Sequence, residues 1–370
     1  MEYSYKFRLY PSREQENLIA RTFGCCRFVF NHYLEQRIEA YQETGKSPTR
    51  FMQDKDLTIL KQQEETIWLR EVDKCALQNT LKQLDSAYQH FFRRVKESKK
   101  PGFPHFKSKK QKRQSYQTNS NIKVSEGAVQ LPKLGKVKCR TSRVVQGRIM
   151  SATVSRSASG KYYVSLCCRL DRELPKLPTM GVVVGLDVGI KSFAVSSDGV
   201  EYPNPKYLRK SEKKLARLQR NLSRKTKGSS NWEKARIKVA NCHEHVANQR
   251  RDMQQKLSTK IVRENDIICV ENLATKNLMR NHKLAKAISD VAWFEFRRQL
   301  SYKAEWYGKQ LVMVDRLFPS SQLCSCCGAK WEGTKNLKVR KWTCPCCNAD
   351  LDRDTNAAVN ILHEGIRLLA

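Results

Sequence analysis

Hydrophobic and polar positions along the first 95 residues change from a strand period to a helical one. Aromatic or apolar side chains alternate with polar ones over residues 3–9, which predicts a β-strand. Pro11 ends that strand, and Ser12 with Gln15 has the spacing of a helix capping box. Apolar residues then recur at helical spacing as far as Arg94, so this region predicts a small helical domain.

Short alternating segments return in the middle of the chain. These predicted strands cover residues 129–131, 136–140, 148–156 and 162–169. We expect them to form a small barrel-like β-domain that the first strand completes. The proline-bearing segment from Leu174 to Pro178 is typical of a linker. It separates this domain from a second half in which the pattern of hydrophobic residues is different.

The second half has the pattern of an α/β domain. A nearly continuous apolar strand over residues 182–190 contains a single carboxylate, which is typical of a strand covered on both faces. Further strands are predicted over residues 191–197, 200–202, 267–270 and 311–314. Helices are predicted over residues 206–264 and 293–306, and a last one after residue 354. The order β-β-β-α-β-α-β-α predicts parallel strands joined by right-handed crossovers.

Charge narrows the choice of partners. The 370 residues include 70 lysines and arginines against 36 acids, a formal net charge of +34, which favours a polyanion such as DNA, RNA or an acidic membrane surface. Hydrophobic residues make up 40%, enough to build real cores.

No window approaches the ~18 consecutive apolar residues of a membrane span, and residues 1–8 lack a signal-peptide pattern. We therefore expect no membrane partner and a cytoplasmic location.

Basic residues concentrate in two segments. Residues 93–113 contain ten lysines or arginines and one acid, around the aromatic-bearing stretch GFPHF, and residues 206–227 contain ten and one acid, Glu212. A solvated helix face is the ordinary explanation of such a run. One-sided charge is costly without an anionic partner, so we interpret both segments as nucleic-acid contacts.

Three carboxylates stand at positions where one sheet would bring them together. Asp187 interrupts an apolar strand, where a buried unpaired charge costs several kcal/mol. Glu271 ends the next buried strand, and Asp354 lies where the last helix begins, as its cap or as a metal ligand. Converging carboxylates are hard oxygen ligands for Mg²⁺ or Mn²⁺, and a pair of such ions promotes phosphodiester cleavage. Each acid alone has an ordinary structural explanation; the combination predicts a catalytic metal site.

Cysteine spacing predicts a second metal site near the end of the chain. Two CxxC pairs are separated by sixteen residues; they are Cys324 with Cys327 and Cys344 with Cys347. Four thiolates on two such turns suit a tetrahedral, structural Zn²⁺. The neighbouring Cys326 and Cys346 leave open whether either could replace a ligand.

The remaining cysteines have simpler explanations. The vicinal pairs 25–26 and 167–168 lie in apolar surroundings, where free cysteine is usually a small core residue. The segment Cys242-His243-Glu244-His245 lacks further ligands, and we interpret it as surface residues of a helix.

Motifs along the whole chain resemble the TnpB family of insertion-sequence proteins, which is related to compact RNA-guided CRISPR nucleases. The motifs are KFRLYP at 6–11, RFVFN at 27–31, GFPHFK at 102–107, LPKLG at 131–135, GLDVG at 185–189, VENL at 270–273, the CxxC pairs, and DRDTNAA at 352–358. One departure is Asn348, where the family usually has glycine after the last cysteine, which puts the turn at that cysteine in doubt.

The resemblance implies a multidomain α+β and α/β architecture. It comprises a barrel-like wedge domain with an inserted helical recognition domain, followed by a RuvC domain of the RNase H type with an inserted zinc ribbon. The implied boundaries are wedge 1–10 and 96–173, helical recognition domain 11–95, linker 174–180, RuvC 181–319 and 351–370, and zinc ribbon 320–350.

The resemblance also implies a function. Asp187, Glu271 and Asp354 would form the metal-binding nuclease triad, with Asp352 only a neighbour. A guide RNA from the end of the element would direct cleavage of double-stranded target DNA beside a short motif, in a bacterial or archaeal cytoplasm at the nucleoid. Two other functions share these features: a non-cleaving nucleic-acid-binding regulator of transposition, and a transposase that joins strands itself. The three intact acids favour the nuclease over the regulator. A joining transposase would share the metal chemistry, and the resemblance argues against it.

Overall fold

The computed structural model describes residues 2–110, 113–170, 176–336 and 338–370. The chain divides into two compact units, residues 1–173 and 174–370. Residues 111–112 of the first basic segment, residues 174–175 of the predicted linker and residue 337 of the predicted ribbon lie outside the described residues. Within the described ranges, no helix has both the length and the apolarity that crossing a bilayer requires.

The first unit begins with a strand followed by a group of helices. In chain order these are β1 (Glu2–Tyr10), α1 (Arg13–Thr44), α2 (Arg50–Leu60), a 3₁₀ helix (Glu64–Glu71) and α3 (Lys74–Lys96). The predicted capping box starts α1: the Ser12 hydroxyl accepts the backbone N–H of Gln15, and the Gln15 side chain accepts the backbone N–H of Ser12. Both predictions, first strand and helical region, are confirmed.

Six further strands complete the β-part of this unit. They are β2 (Gln114–Thr118), β3 (Lys123–Ser125), β4 (Ala128–Leu131), β5 (Gly135–Arg140), β6 (Arg148–Arg156) and β7 (Tyr162–Arg169). All seven strands form one antiparallel sheet in the order β2-β6-β7-β1-β5-β4-β3. The first strand therefore lies within the sheet, as expected, and the helices are an insertion after it. The strands β2 and β3 were not predicted, because both are short and rich in polar residues.

The second unit is an α/β fold around a five-stranded sheet. Its elements up to the last sheet strand are β8 (Val183–Val188), β9 (Ser192–Ser196), β10 (Glu201–Pro203), α4 (Tyr207–Ser223), α5 (Ser230–Glu264), β11 (Ile267–Glu271), α6 (Thr275–Leu278), α7 (His282–Val291), α8 (Trp293–Tyr307) and β12 (Gln310–Val314). The sheet order is β10-β9-β8-β11-β12. Strands β8, β11 and β12 are parallel, and β9 and β10 return antiparallel.

A small cysteine-bearing subregion separates β12 from the last helix. It contains a 3₁₀ turn (Glu332–Lys335) and the two-stranded ribbon β13 (Lys341–Thr343) and β14 (Asp350–Asp352), after which α9 runs over Arg353–Arg367. Trp331 and Trp342 stack there with ring centroids 5.0 Å apart. Together with Val339 and Leu351, these rings form the apolar centre of the subregion.

The helix α9 packs directly on the central strands. A Cβ atom added at Gly185 would lie 2.1 Å from the carbonyl oxygen of Ala358, and one added at Gly365 would lie 2.2 Å from the sulfur of Cys269. Only glycine permits backbone and helix to approach so closely. Gly185, the first glycine of the GLDVG motif, therefore permits the close approach of β8 and α9. These two elements carry Asp187 and Asp354.

Replacing Gly185 with alanine is expected to destabilise the second unit by at least about 2 kcal/mol, since backbone of α9 must move to admit a methyl group. The expected result is a thermal unfolding transition several degrees lower. Gly24→Ala is the control, because Gly24 lies within α1 without a positive φ and a Cβ there meets only the end of the Arg27 side chain, at 4.0 Å. Equal stability of Gly185→Ala and the unchanged protein would contradict this packing.

Candidate functional site

Parallel pairing brings two of the three predicted acids to the same edge of the sheet. Val270 on β11 pairs with Leu186 on β8, so Asp187 and Glu271 follow at the carboxyl ends of neighbouring strands. Asp354 comes to the same place from the first turn of α9. All three line one cavity with a volume of about 310 Å³, and all three are half-buried and reachable from it.

The surroundings of these carboxylates disfavour their charges. Burial is the main cause that raises the pKa of Asp187 to about 8, and the charges of Glu271 and Asp354 add to it. Burial also raises the pKa of Glu271, although a hydrogen bond from the Ser320 hydroxyl partly offsets this. A cation bound among the three acids would remove this penalty.

Asp354 and Asp352 have different contacts, which separates their roles. The Asp352 carboxylate accepts the backbone N–H groups of Asp354 and Thr355, both at 3.1 Å, and is the cap of α9. The Asp354 carboxylate accepts two hydrogen bonds from Nη1 of Arg340, at 3.1 and 3.3 Å. The cap that the sequence analysis left open for Asp354 is therefore supplied by Asp352, and Asp354 is free to face the cavity.

The donor set fits hard divalent cations. Among the residues described, only the four cysteines bring three or more ligand atoms within 4.8 Å of one another, so the carboxylates stand further apart. Carboxylate oxygens are the ligands that Mg²⁺ and Mn²⁺ prefer. The cavity that these half-buried acids face is large enough to hold ions together with water.

Side chains that the sequence analysis did not single out hold this site in place. Asn360 on α9 donates to the carbonyl oxygens of Ser320 and Leu323, at 2.8 and 2.7 Å. Asn356, one turn earlier, donates to Leu323 and accepts the backbone N–H of Ser325. The helix thereby fixes the segment whose Ser320 hydroxyl reaches Glu271. Asn356 belongs to the DRDTNAA motif, but its partners are about thirty residues away and cannot be read from sequence.

The four cysteines of the CxxC pairs form a compact cluster. The sulfur atoms of Cys324 and Cys347 are 3.6 Å apart, and those of Cys327 and Cys344 are 3.7 Å apart. A tetrahedron with metal–sulfur bonds of ~2.3 Å has edges of ~3.8 Å, so the spacing fits one tetrahedral ion. The pKa of the Cys344 thiol is lowered to about 6, mainly by the backbone N–H of Cys347, whereas burial and hydrogen bonds with the other three sulfurs raise the pKa of Cys327. A cation bound at the centre would favour the thiolate at all four positions.

The two turns that carry these pairs have the same backbone. Gly328 and Asn348 both have positive φ, +71° and +55°, and their N–H groups donate to the carbonyls of Cys324 and Cys344. Asparagine tolerates this left-handed conformation better than most residues. The Asn348 departure from the family pattern thus leaves the turn intact. Cys326 and Cys346 are exposed and lie outside the cluster.

The other cysteine interpretations have mixed outcomes. Cys25, Cys26 and Cys168 are buried in the core of the first unit, as expected, and Cys167 is half-buried. The expectation that Cys242 is a surface residue was wrong, because it lies on the buried side of α5. A free cysteine behaves as a small apolar residue and is commonly buried in this way.

The second basic segment forms a helix with little attachment to a core. Described residues of α4 include no buried side chain, and its acid Glu212 pairs with Lys286 of α7. The other charged groups of the helix present a positive surface to solvent.

The fold of this chain is one that solved structures of compact RNA-guided effectors share. Two solved structures resemble the whole chain: "Cryo-EM structure of the Cas12f1-sgRNA-target DNA complex", with a TM-score of 0.52, 14% identity and 98% of both chains covered, and "Structure of the mini-RNA-guided endonuclease CRISPR-Cas_phi3", with a TM-score of 0.53, 8% identity and 99% and 92% covered. At these identities the likeness concerns the fold alone.

Sequence relatives define the family more closely. Residues 165–282 match the family described as "Probable transposase" of the OrfB_IS605 type, residues 293–361 match "Cas12f1-like, TNB domain", and residues 1–46 match "Helix-turn-helix domain". In this chain the last of these forms a strand and one long helix, β1 and α1.

Two curated relatives cover nearly the whole chain. A "Putative RNA-guided DNA endonuclease" of Streptomyces pristinaespiralis is 41% identical over 98% of this chain and 89% of its own length. "Putative RNA-guided DNA endonuclease InsQ" of Escherichia coli K12 is 35% identical over 99% and 93%. The chain belongs to the TnpB family of insertion-sequence proteins.

Proposed function

We propose that this protein is an RNA-guided, metal-dependent endonuclease that cuts double-stranded DNA beside a short motif and is encoded by an insertion sequence. The observation that carries this proposal is the convergence of Asp187, Glu271 and Asp354 on one cavity, in a chain whose full-length relatives bear that function in their names. The guide RNA comes from the end of the element.

The three acids hold Mg²⁺ or Mn²⁺. Such ions, when bound, activate water and stabilise the leaving oxygen of a phosphodiester. The chain contributes orientation and charge: Ser320 directs the Glu271 carboxylate, while Arg340 fixes Asp354. Arg340 and Arg353 both line the cavity, where their positive charges can face the phosphate that is cut.

The four-cysteine cluster holds one Zn²⁺ with a structural role. Four thiolates leave no open position on a tetrahedral ion, so the site takes no part in the chemistry. Its contribution is to the segment 320–350, which presents Ser320 and Arg340 to two of the three acids. Loss of zinc therefore affects cutting through positioning.

Guide RNA and target DNA occupy the positive surfaces. Phosphate contacts from lysine and arginine give affinity without reading sequence, which suits a protein whose targets vary. Target choice then comes from base pairing between guide and DNA, and the protein reads only a short adjacent motif. With a net charge of +34 we expect the protein to act at the nucleoid.

The boundaries implied by the family are proposed as functional divisions. Residues 1–10 and 96–173 form the wedge, and residues 11–95 the recognition helices. Residues 181–319 and 351–370 form the nuclease domain, residues 320–350 the zinc ribbon, and residues 174–180 the linker.

Co-expression with flanking element DNA tests the proposal. The purified protein is expected to carry a discrete RNA and to cut a matching duplex in Mg²⁺, leaving hydrolysed ends, with activity lost in EDTA and regained on adding Mg²⁺. The Asp187→Ala protein, loaded with the same RNA, is the matched control. Binding without any cutting would favour the regulator, and covalently joined strands would favour the transposase.

A further inference from the structure

An aromatic cluster lies exposed at the carboxyl end of α3. The rings of Tyr88, Phe91 and Phe92 line one side of the helix, and Phe103 from the following loop folds back onto them. Its centroid lies 5.4 Å from Phe91 and 5.7 Å from Tyr88, both nearly perpendicular. Tyr88 is buried and receives the Arg37 guanidinium over its ring. The inner rings therefore pin the loop to the helix.

Two rings of this region exceed what pinning requires. Phe92 is 60% exposed, and Phe103 remains 41% exposed although it packs on Phe91 and Tyr88. A phenylalanine in water forfeits much of the burial that stabilises a fold. Outward-facing aromatic rings on a charged surface are the usual platform for stacking nucleic-acid bases.

The charges around the cluster complement a polyanion. The exposed cations are Arg93, Arg94, Lys96 and Lys100. Glu97 is the one acid between residues 93 and 113, and Lys99 neutralises it at 2.7 Å. The Arg94 guanidinium lies against Gly102: a Cβ added at this glycine would be 2.8 Å from Nη1 of Arg94. The absence of a side chain at Gly102 therefore leaves room for this guanidinium beside the rings. The exposed rings are therefore flanked by cations.

We propose that Phe92, Phe103 and the cations from Arg93 to Lys100 form a binding site for an unpaired DNA strand, in which bases stack on the rings and phosphates contact the cations. A base can stack on a side chain only where its own neighbour does not cover it, which selects single strands over duplex. Stacking tolerates every base, so this surface suits DNA whose sequence changes with each target. The inference rests on the proposed function for its occupant, because opening a target duplex supplies such a strand.

Photo-crosslinking of the full chain tests this site independently of cutting. The probe is a twelve-residue oligo(dT) with single 5-iododeoxyuridine substitutions, and the readout is the cross-linked peptide with the dissociation constant. We expect cross-links at Phe92 or Phe103 and none with the same probe annealed to oligo(dA). Absence of cross-links to both rings, or cross-links from a 5-iodouridine oligo(U) RNA in place of the DNA, would overturn the site or its occupant.

Substitutions at Phe92 separate stacking from packing. Phe92→Leu keeps an apolar contact with Phe91 and Tyr88, and we expect unchanged thermal stability with oligo(dT) affinity at least about fivefold weaker. Phe92→Trp should restore the affinity. Val95→Ala, which removes a half-exposed aliphatic group one turn away, is the matched control and should bind as the unchanged protein does. Equal binding by Phe92→Leu would overturn the proposal, and because no guide or cleavage enters this assay, that failure says nothing against the nuclease.

Discussion

Replacing Asp187 with asparagine is expected to abolish guided DNA cutting, with a loss of at least about 100-fold. Bound ions supply several kcal/mol of transition-state stabilisation, and each 1.4 kcal/mol corresponds to a factor of ten. Binding of RNA and target DNA should change little, because Asp187 lies at the end of an interior strand inside the cavity. Cleavage rates and duplex affinities measured side by side check both halves of the expectation.

The same substitution should stabilise the protein when metal is absent. Burial raises the pKa of Asp187, so its ionised form is less favourable in the folded chain than in the unfolded one. Asparagine removes that charge without changing the shape of the side chain. We expect a higher melting temperature for Asp187→Asn in EDTA at neutral pH, a difference that disappears below the ordinary aspartate pKa of about 4, where the carboxyl is uncharged in both states. The gain from added Mg²⁺ should be smaller for this variant. A lower melting temperature in EDTA would show that the acid has a structural partner.

The neighbouring pair Asp352 and Asp354 supplies a control within one motif. Asp352→Asn keeps an N-cap of nearly equal strength and should cut DNA normally. Asp354→Asn leaves the cap of α9 untouched and should lose cutting as Asp187→Asn does. Normal cutting by Asp354→Asn would remove it from the set of metal ligands.

Replacing Cys344 with serine is expected to release the bound zinc and to reduce cutting by more than about tenfold. Metal binding at a four-thiolate site contributes directly to folding free energy, so its loss loosens residues 320–350. Ser320 and Arg340 then no longer hold Glu271 and Asp354. Metal content by mass spectrometry and the cleavage rate are the two readouts.

Cys326→Ser is the matched control for that experiment. Cys326 is exposed and lies outside the sulfur cluster, so zinc content and cutting should both be retained. Full activity of a zinc-free Cys344→Ser protein would contradict the positioning role. Loss of zinc from Cys326→Ser would show that the ligand set has been chosen wrongly.

Much of the fold could be predicted because local patterns agree with it. The apolar run around Asp187 predicted a buried strand, and β8 spans Val183–Val188 within it. Glu271 could be placed beside Asp187 because parallel strands that end together bring their last residues to one edge. The capping box at Ser12 fixed the start of a helix to the residue.

Other features depend on contacts between distant residues. The strands β2 and β3 carry little apolar alternation, and their partners in the sheet define them. Arg340 lies between the two CxxC pairs with no signal that it reaches Asp354. Nothing in the helical pattern distinguishes Asn360 from its neighbours. Its hydrogen bonds to the carbonyl oxygens of Ser320 and Leu323 can be seen only in the folded chain, where α9 packs beside that segment. The resemblance implied only that Asp352 is a neighbour of the triad, and its role as the cap of α9 required the helix start.

Exchange of the guide segment is the most direct test of guided cutting. Protein is expressed with its element RNA, or with the same RNA whose 3′ segment has been replaced. Each complex is then given two target duplexes, one that pairs with the original segment and one that pairs with the replacement, both carrying the same adjacent motif. The account predicts that each complex cuts only the duplex that pairs with its own guide, and that protein freed of RNA cuts neither. Cutting of the original site by RNA-free protein, or by the complex with the replaced segment, would contradict it.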